Sequence, residues 1–276
     1  MPELPEVEVV KKGLEPHLPG RIITHVRHDG KKLRTKVPYR EMQKHLLGAE
    51  IVTLRRRAKY LIMEMGNRVL LIIHLGMTGK LGLFEKSRPD MVHDHVAWLL
   101  DNGLELRFND VRRFGSISLI RTEQTAALED TFFKTTGPEP FDADFNAAYL
   151  YQMAAGRSMP VKNFIMNNSV VAGVGNIYAN ESLFAAGIRP TKPVGKIGRK
   201  KWAHLIDKIR EVLTHAISCG GSTISDFIGS SGEKGYFQMN FCVYGKNDLP
   251  CPQCTSIIKA IKLGGRASFF CSKCQR

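Results

Sequence analysis

Apolar residues recur at Val7, Val10, Leu14 and Leu18 along PELPEVEVVKKGLEPHLPG, one face of a helix, with Pro5 suited to its first turn and Gly20 to its exit. From Arg21 to about Arg121 the pattern turns strand-like. VTLRRRAKYLIMEM, RVLLIIHLGM, HVAWLL, LELRF and GSISLI are short β-rich runs divided by Gly, Asn, Asp or Pro. They predict an antiparallel sandwich or barrel. After the turn-rich TGPEPFDADF at Thr136 to Phe145, helical spacing returns, and from Lys200 to Ser218 it places Trp202, Leu205, Ile209 and Val212 near one face, ahead of Gly220 and Gly221. The change of period puts a domain boundary near residue 134. Between Gly220 and Asn240, GGSTISDFIGSSGEKGYFQMN is rich in Gly and Ser without a clear period, which predicts a mobile loop. No internal repeat is visible.

The cysteines add a third segment. Cys251 and Cys254 form one CxxC pair and Cys271 and Cys274 another, with 16 residues between, so each pair can clasp one side of a tetrahedral zinc ion. Four thiolates leave no position for water, so such a zinc is expected to hold structure and to help fold the last 30 or so residues. Between the pairs, IIKAIKLGGRASFF predicts a β-hairpin turning at Gly264 and Gly265, with Arg266 near its tip. Cys219 and Cys242 are left over and are expected to be small buried residues.

Length and charge narrow the class. The 276 residues, 43% of them hydrophobic, suffice for two domains with cores of their own. Lys and Arg outnumber Asp and Glu by 40 to 26, a formal charge of +14 that fits a nucleic-acid partner. No signal-peptide pattern or membrane-length apolar run is present, so a cytoplasmic protein, on the nucleoid through DNA, is expected.

The first residues carry possible chemistry. With Met1 removed, Pro2 presents a secondary amine beside Glu3. An α-amino group titrates near pH 8, so a usable fraction is nucleophilic at neutral pH. A secondary amine on a sugar C1′ gives an iminium with no nitrogen proton to lose, an electron sink for elimination. Read alone, Pro2 and Pro5 stiffen the chain and Glu3 and Glu6 are solvated acids at a helix N-terminus.

The wider set of motifs shifts that balance. PELPEVE, RRAKYL, HLGMTGKL, HDH, RRFG, GPEP, GVGNIYANESLFAAGI, VYG and the terminal cysteine pairs occur in this order over essentially the full length. The chain resembles the formamidopyrimidine-DNA glycosylases, bacterial enzymes that remove oxidised purines. The resemblance implies an α+β protein of two domains: an N-terminal antiparallel β-sandwich with flanking helices over residues 1–133, and a helical helix-two-turns-helix domain. The latter spans 134–240, with a base-binding loop at 220–240, and ends in a β-hairpin zinc finger at 241–276. It implies damaged double-stranded DNA as the partner and one structural zinc as the cofactor, and no sign of a stable oligomer points to a monomer.

Residue by residue, the resemblance makes Pro2 the nucleophile that forms the Schiff base and Glu3 a proton donor. Lys59 matches the lysine assigned to β-elimination, and Arg266 the arginine assigned to δ-elimination. A guanidinium is a poor proton donor, so Arg266 is expected chiefly to grip phosphates. Without the family match, Arg55, Arg57 and Lys59 read as a solvated strand face. Met77, Arg112 and Phe114 match the residues that extrude the lesion and fill the gap, Met and Phe as apolar wedges and Arg towards the orphaned base. Standing alone, Met77 and Phe114 read as core residues at strand ends. His74, His93 and Arg157 match DNA contacts. Asn176 matches a phosphate-binding asparagine that also caps a helix closed by Gly187.

The chain departs from the family at Thr255, where glycine usually follows the second cysteine, so a slightly strained knuckle is expected. Two rival readings stay open on sequence alone. The sister family, endonuclease VIII, shares Pro2, Glu3, Lys59 and the zinc hairpin but takes oxidised pyrimidines; Leu4, Met77, Phe114 and the Gly-rich loop favour the purine enzyme. A catalytically silent zinc-dependent DNA-binding protein would account for the charge, Asn176 and the finger, but not for Pro2, Glu3 and Lys59 together.

Overall fold

The computed structural model describes residues 2–121, 126–220 and 241–276, so the loop expected between Gly220 and Asn240 lies, after Gly220, outside the described residues. Described residues through 134 belong to one compact unit, and 135–219 with 241–276 to another.

The first unit contains α1 (Leu4–Leu14), β1 (Ile23–His28), α2 (Tyr39–Leu46), β2 (Ile51–Arg57), β3 (Tyr60–Met65), β4 (Val69–His74), β5 (Gly79–Glu85), β6 (Asp94–Leu100), β7 (Leu104–Asp110), β8 (Ser116–Arg121) and α3 (Ala126–Asp130). Its strands form two four-stranded sheets, β1-β6-β7-β5 and β2-β3-β4-β8, and every pairing is antiparallel. Alternation decides which side chain goes where. Leu61, Met63, Leu71 and Ile73 enter the main core with Trp98, Leu106 and Phe108, while Ile62, Leu70 and Ile72 pack on the other face with Leu128 and Phe133. Both faces of β3 and β4 are therefore covered, which is why these strands read as near-continuous apolar runs. Each large side chain buried in this way contributes about 1.5–3 kcal/mol.

Two local differences from the sequence pattern stand out. Helix α1 ends at Leu14, a turn earlier than the apolar spacing suggests, because Leu18 reaches the same core from the turn that closes at Gly20. Helix α2 interrupts the strand-like region; it has eight residues and buries only Met42 and Leu46, too short a stripe to show as a period.

The second unit contains α4 (Ala147–Ala154), α5 (Val161–Ile165), α6 (Asn176–Ala185), a 3₁₀ turn at Val194–Lys196, α7 (Arg199–Ser218), β9 (Ile258–Leu263) and β10 (Arg266–Cys271). Helix α6 is buried on nearly every side from Ile177 to Phe184 and so lies at the centre of its unit. The expected face of α7 is present in Trp202, Leu205 and Ile209, but it continues through Leu213 and Ala216, leaving Val212 half-buried at its edge. β9 and β10 pair antiparallel, with Arg266 opposite Leu263 across the Gly264–Gly265 turn. No described helix is long and apolar enough to cross a membrane.

Candidate active site and metal centre

Helix α1 begins in a capping box. The Glu3 N–H donates to Glu6 Oε2 at 2.7 Å, and the Glu3 carboxylate accepts from the Glu6 N–H. Both acids are buried, Glu3 at 1% exposure and Glu6 at 3%, so neither is the solvated acid that composition alone suggests. Pro2, half-buried, precedes this box directly. The buried Glu6, which completes the box beside Pro2 and Glu3, was left among the solvated acids by sequence reasoning; its three-residue spacing from Glu3 was the available signal.

Lys59 is not on a strand face. It occupies the two-residue turn between β2 and β3, where Ala58 takes a left-handed φ of 54° and Arg57 pairs with Tyr60. The neighbouring arginines are not solvated either: Arg55 pairs with Glu64, Arg56 with Glu8 and Arg57 with Glu129. The Arg56–Glu8 pair, at 2.7 Å, ties the Lys59 turn to the helix that follows Pro2 and Glu3. Tyr60, His74 and Ser116 stand side by side across β3, β4 and β8. His74 Nδ1 accepts from the Gly76 N–H at 3.0 Å. Burial, helped by the charges of Lys59 and Arg34, pushes His74 down to about 4, so at neutral pH it is an uncharged ring with Nε2–H left to donate.

Met77, Arg112 and Phe114 are exposed on loops rather than packed in the core, with 38% of Met77 and 44% of Phe114 accessible. The Arg112 guanidinium lies 4.6 Å from the Phe114 ring centroid, so these two form one stacked pair. Large apolar side chains held in solvent beside a cation suit insertion between bases. His93, half-buried, has a left-handed φ of 76°, and its carbonyl accepts from the Asp110 N–H at 3.1 Å.

In the second unit, Asn176 is the first residue of α6, but the cap is Gly175 and no side chain caps the helix, which corrects the expected capping role. Asn176 Oδ1 is instead a buried atom without a hydrogen-bond partner among the described residues. Gly187, at φ 64°, follows the helix end as expected. Arg157 is exposed after α4, and Arg266 is exposed at the start of β10. Of three polar residues missed by sequence reasoning, Lys162 and Asn180 hold the segment that follows Arg266, and Glu181 holds residues 242–244. The fully buried Lys162 donates from Nζ to Ala267 O at 2.8 Å and Ser268 Oγ at 2.6 Å. Asn180 Oδ1 accepts from the Phe269 N–H, and the Glu181 carboxylate accepts from the N–H groups of Cys242, Val243 and Tyr244. A lysine inside the apolar run PVKNFIM was the one visible hint.

Cys251, Cys254, Cys271 and Cys274 bring their sulfurs within 4.8 Å of one another. Thiols so crowded, two of them buried, and aligned by backbone turns such as Thr255 N–H to Cys251 O at 2.9 Å, fit a tetrahedral zinc. They hold one structural zinc ion. Thr255 has a φ of 61°, the left-handed region that glycine adopts without strain, so the expected strain is real. Of the other cysteines, Cys242 is exposed and Cys219 half-buried, contrary to expectation, because both lie beyond the ends of the packed elements.

Comparison with known proteins follows the same division. The formamidopyrimidine-DNA glycosylase N-terminal domain matches residues 1–117, the formamidopyrimidine-DNA glycosylase H2TH domain residues 136–228, and the zinc finger found in FPG and IleRS residues 248–276. Among curated relatives, formamidopyrimidine-DNA glycosylase of Stutzerimonas stutzeri is 45% identical over 276 residues, and that of Stenotrophomonas maltophilia is 47% identical over 278, each covering 100% of both chains. A crystal structure of a Lactococcus lactis FPG mutant with Fapy-dG-containing DNA superposes with a TM-score of 0.90 at 35% identity over 100% of both chains. The structure of MutM with carbocyclic 8-oxo-G-containing DNA gives 0.88 at 35% identity, again over 100% of both. The chain belongs to the formamidopyrimidine-DNA glycosylase family, a DNA glycosylase that acts on damaged DNA.

Proposed function

We propose that this glycosylase is bifunctional: it excises oxidised purines, 8-oxoguanine and formamidopyrimidines, from duplex DNA through a Schiff base on Pro2, then cleaves the strand by β,δ-elimination. The observation that carries this reading is the capping box, which keeps the Glu3 carboxyl group out of water at the residue next to the Pro2 nitrogen. After Met1 is removed, the Pro2 lone pair attacks C1′ and the base departs with the electrons of the glycosidic bond, a proton reaching it as it leaves. Loss of the nitrogen proton then lets the lone pair open the sugar at O4′, for which Glu3 supplies a proton, and an iminium results. Removal of a C2′ proton, the role given to Lys59, expels the 3′ phosphate. A second elimination expels the 5′ phosphate, with Arg266 binding the phosphates more than donating a proton.

Met77, Arg112 and Phe114 fill the gap left by the extruded nucleotide, Arg112 facing the orphaned base. His74, through its neutral Nε2–H, and His93, Arg157 and Asn176 contact the DNA, with damaged double-stranded DNA and the zinc as partners of a monomer. In this reading residues 1–133 are the catalytic module, 134–240 the DNA-binding module and 241–276 the finger. The named ligands of the related structures, Fapy-dG, 8-oxo-G and an abasic site, support the lesion class and the lyase step.

Borohydride trapping on duplexes containing 8-oxoguanine or an oxidised pyrimidine, with mass spectrometry of the adduct, tests the proposal. The expected adduct is at Pro2 and stronger with 8-oxoguanine. Absence of any Pro2 adduct overturns the mechanism, and stronger trapping on the pyrimidine moves the substrate class to that of endonuclease VIII.

A further inference from the structure

The loops that carry Met77, Arg112 and Phe114 are joined by one buried residue to which neither the sequence nor the proposed chemistry gives a task. Asp110, the last residue of β7, is fully buried, and every polar group it has is engaged. Its Oδ1 accepts from the Thr78 hydroxyl at 2.5 Å and its Oδ2 from the Gly115 N–H at 2.8 Å. Its N–H donates to His93 O, and its carbonyl accepts from the Arg113 N–H at 3.2 Å and faces His95 Nε2 at 2.9 Å. Thr78 follows Met77 and Gly115 follows Phe114, so a single carboxylate ties the two loops at the residues adjoining the wedge. The same Thr78 hydroxyl accepts from the Arg112 N–H at 3.0 Å, which brings the third residue into the chain of bonds. His95 then carries the connection to Asp29, 2.8 Å from its Nδ1.

The loops also meet backbone to backbone. A Cβ on Gly76 would lie 2.4 Å from Gly115 N and Phe114 C, and one on Gly115 would lie 2.9 Å from His74 O and 3.1 Å from Asp110 Oδ2. Their spacing is thus fixed by two glycines that allow the approach and by one carboxylate that holds it. Side chains that must enter a duplex together lose less freedom on binding when their relative aim is already set.

We propose that Asp110 is a positioning residue that makes Met77, Arg112 and Phe114 a single pre-aimed wedge. This rests on the reading of those three as the gap-filling residues. The test compares two rates under single-turnover conditions: excision of 8-oxoguanine paired with cytosine in a duplex, which needs extrusion, and cleavage at an abasic site in a single strand, which does not. Asp110→Ala is expected to lower the first rate about tenfold more than the second. Asp110→Asn keeps an acceptor for Gly115 and offers an N–H to Thr78, and should recover most of the difference. If Asp110→Ala does not fold, Thr78→Val, which removes the hydroxyl's bonds to Asp110 and to the Arg112 N–H and leaves the Asp110–Gly115 bond in place, makes the same comparison. A general loss of stability would lower both rates together, and that result overturns the proposal. Met77→Ala and Phe114→Ala separate it from the underlying reading. A ratio that falls in them but not in the Asp110 and Thr78 variants overturns the role of Asp110, whereas a ratio unchanged in all of them overturns the wedge itself.

Discussion

His74 ends β4 with its Nδ1 already accepting a hydrogen bond, and burial near Lys59 and Arg34 holds it at about 4 against an ordinary value of 6.5. The folded value lies below the unfolded one, so the neutral ring contributes stability that is complete above about pH 6.5 and is lost as pH falls towards 4. With 1.36 kcal/mol for each pH unit, the whole effect is on the order of 3 kcal/mol. Urea unfolding of the native chain and of His74→Gln between pH 7 and 4.5 checks this: the native chain should lose more stability on acidification than the variant, and parallel curves would show that His74 takes no part. Thr255 illustrates the opposite kind of residue, one whose left-handed backbone is tolerated because the two cysteines just before it, Cys251 and Cys254, are committed to zinc.

At the scale of elements, the hairpin of β9 and β10 has too few buried residues to hold its place unaided, and is fixed by zinc, Lys162 and Asn180. Cys254→Ser should therefore release zinc, unfold the finger and abolish DNA binding while the sheets of the first unit persist. Zinc content, circular dichroism and a gel-shift titration would check it, and full affinity in that variant would show the finger to be dispensable. The hairpin was legible because two glycines stand between two β-rich runs, and α1 and α7 because their apolar residues repeat at helical spacing over several turns. Helix α2 was not, since two buried residues make no period. Nor were Lys162, Asn180, Glu181 or Asp110. Lys162 bonds a group 105 positions away, Asn180 one 89 away and Glu181 one 61 away, so their meaning depends on what folding places opposite. The proposed catalytic pair was half legible: Pro2 and Glu3 could be named, but that Glu3 and Glu6 leave water together follows only from the packed helix.

Over the whole molecule, a charge of +14 means that binding to DNA releases counterions, so affinity falls as salt rises, by about 0.9 in the logarithmic slope for each phosphate neutralised. Arg157, exposed after α4, reads as one such contact. Arg157→Ala should weaken binding to damaged and undamaged duplexes alike and reduce that slope by about 1, measured by fluorescence anisotropy across a salt series. An unchanged slope would remove Arg157 from the interface.

The two tryptophans of the chain are divided one to each unit: Trp98 is sealed in the core between the sheets, and Trp202 in the helical core against Phe164. The indole N–H of neither finds a partner among the described residues, so each senses an apolar cage alone. The chain thus carries two built-in fluorophores, one per unit. With Trp98→Phe or Trp202→Phe as single-colour versions, the emission spectrum alone can report whether chelating the zinc loosens one half of the protein or both.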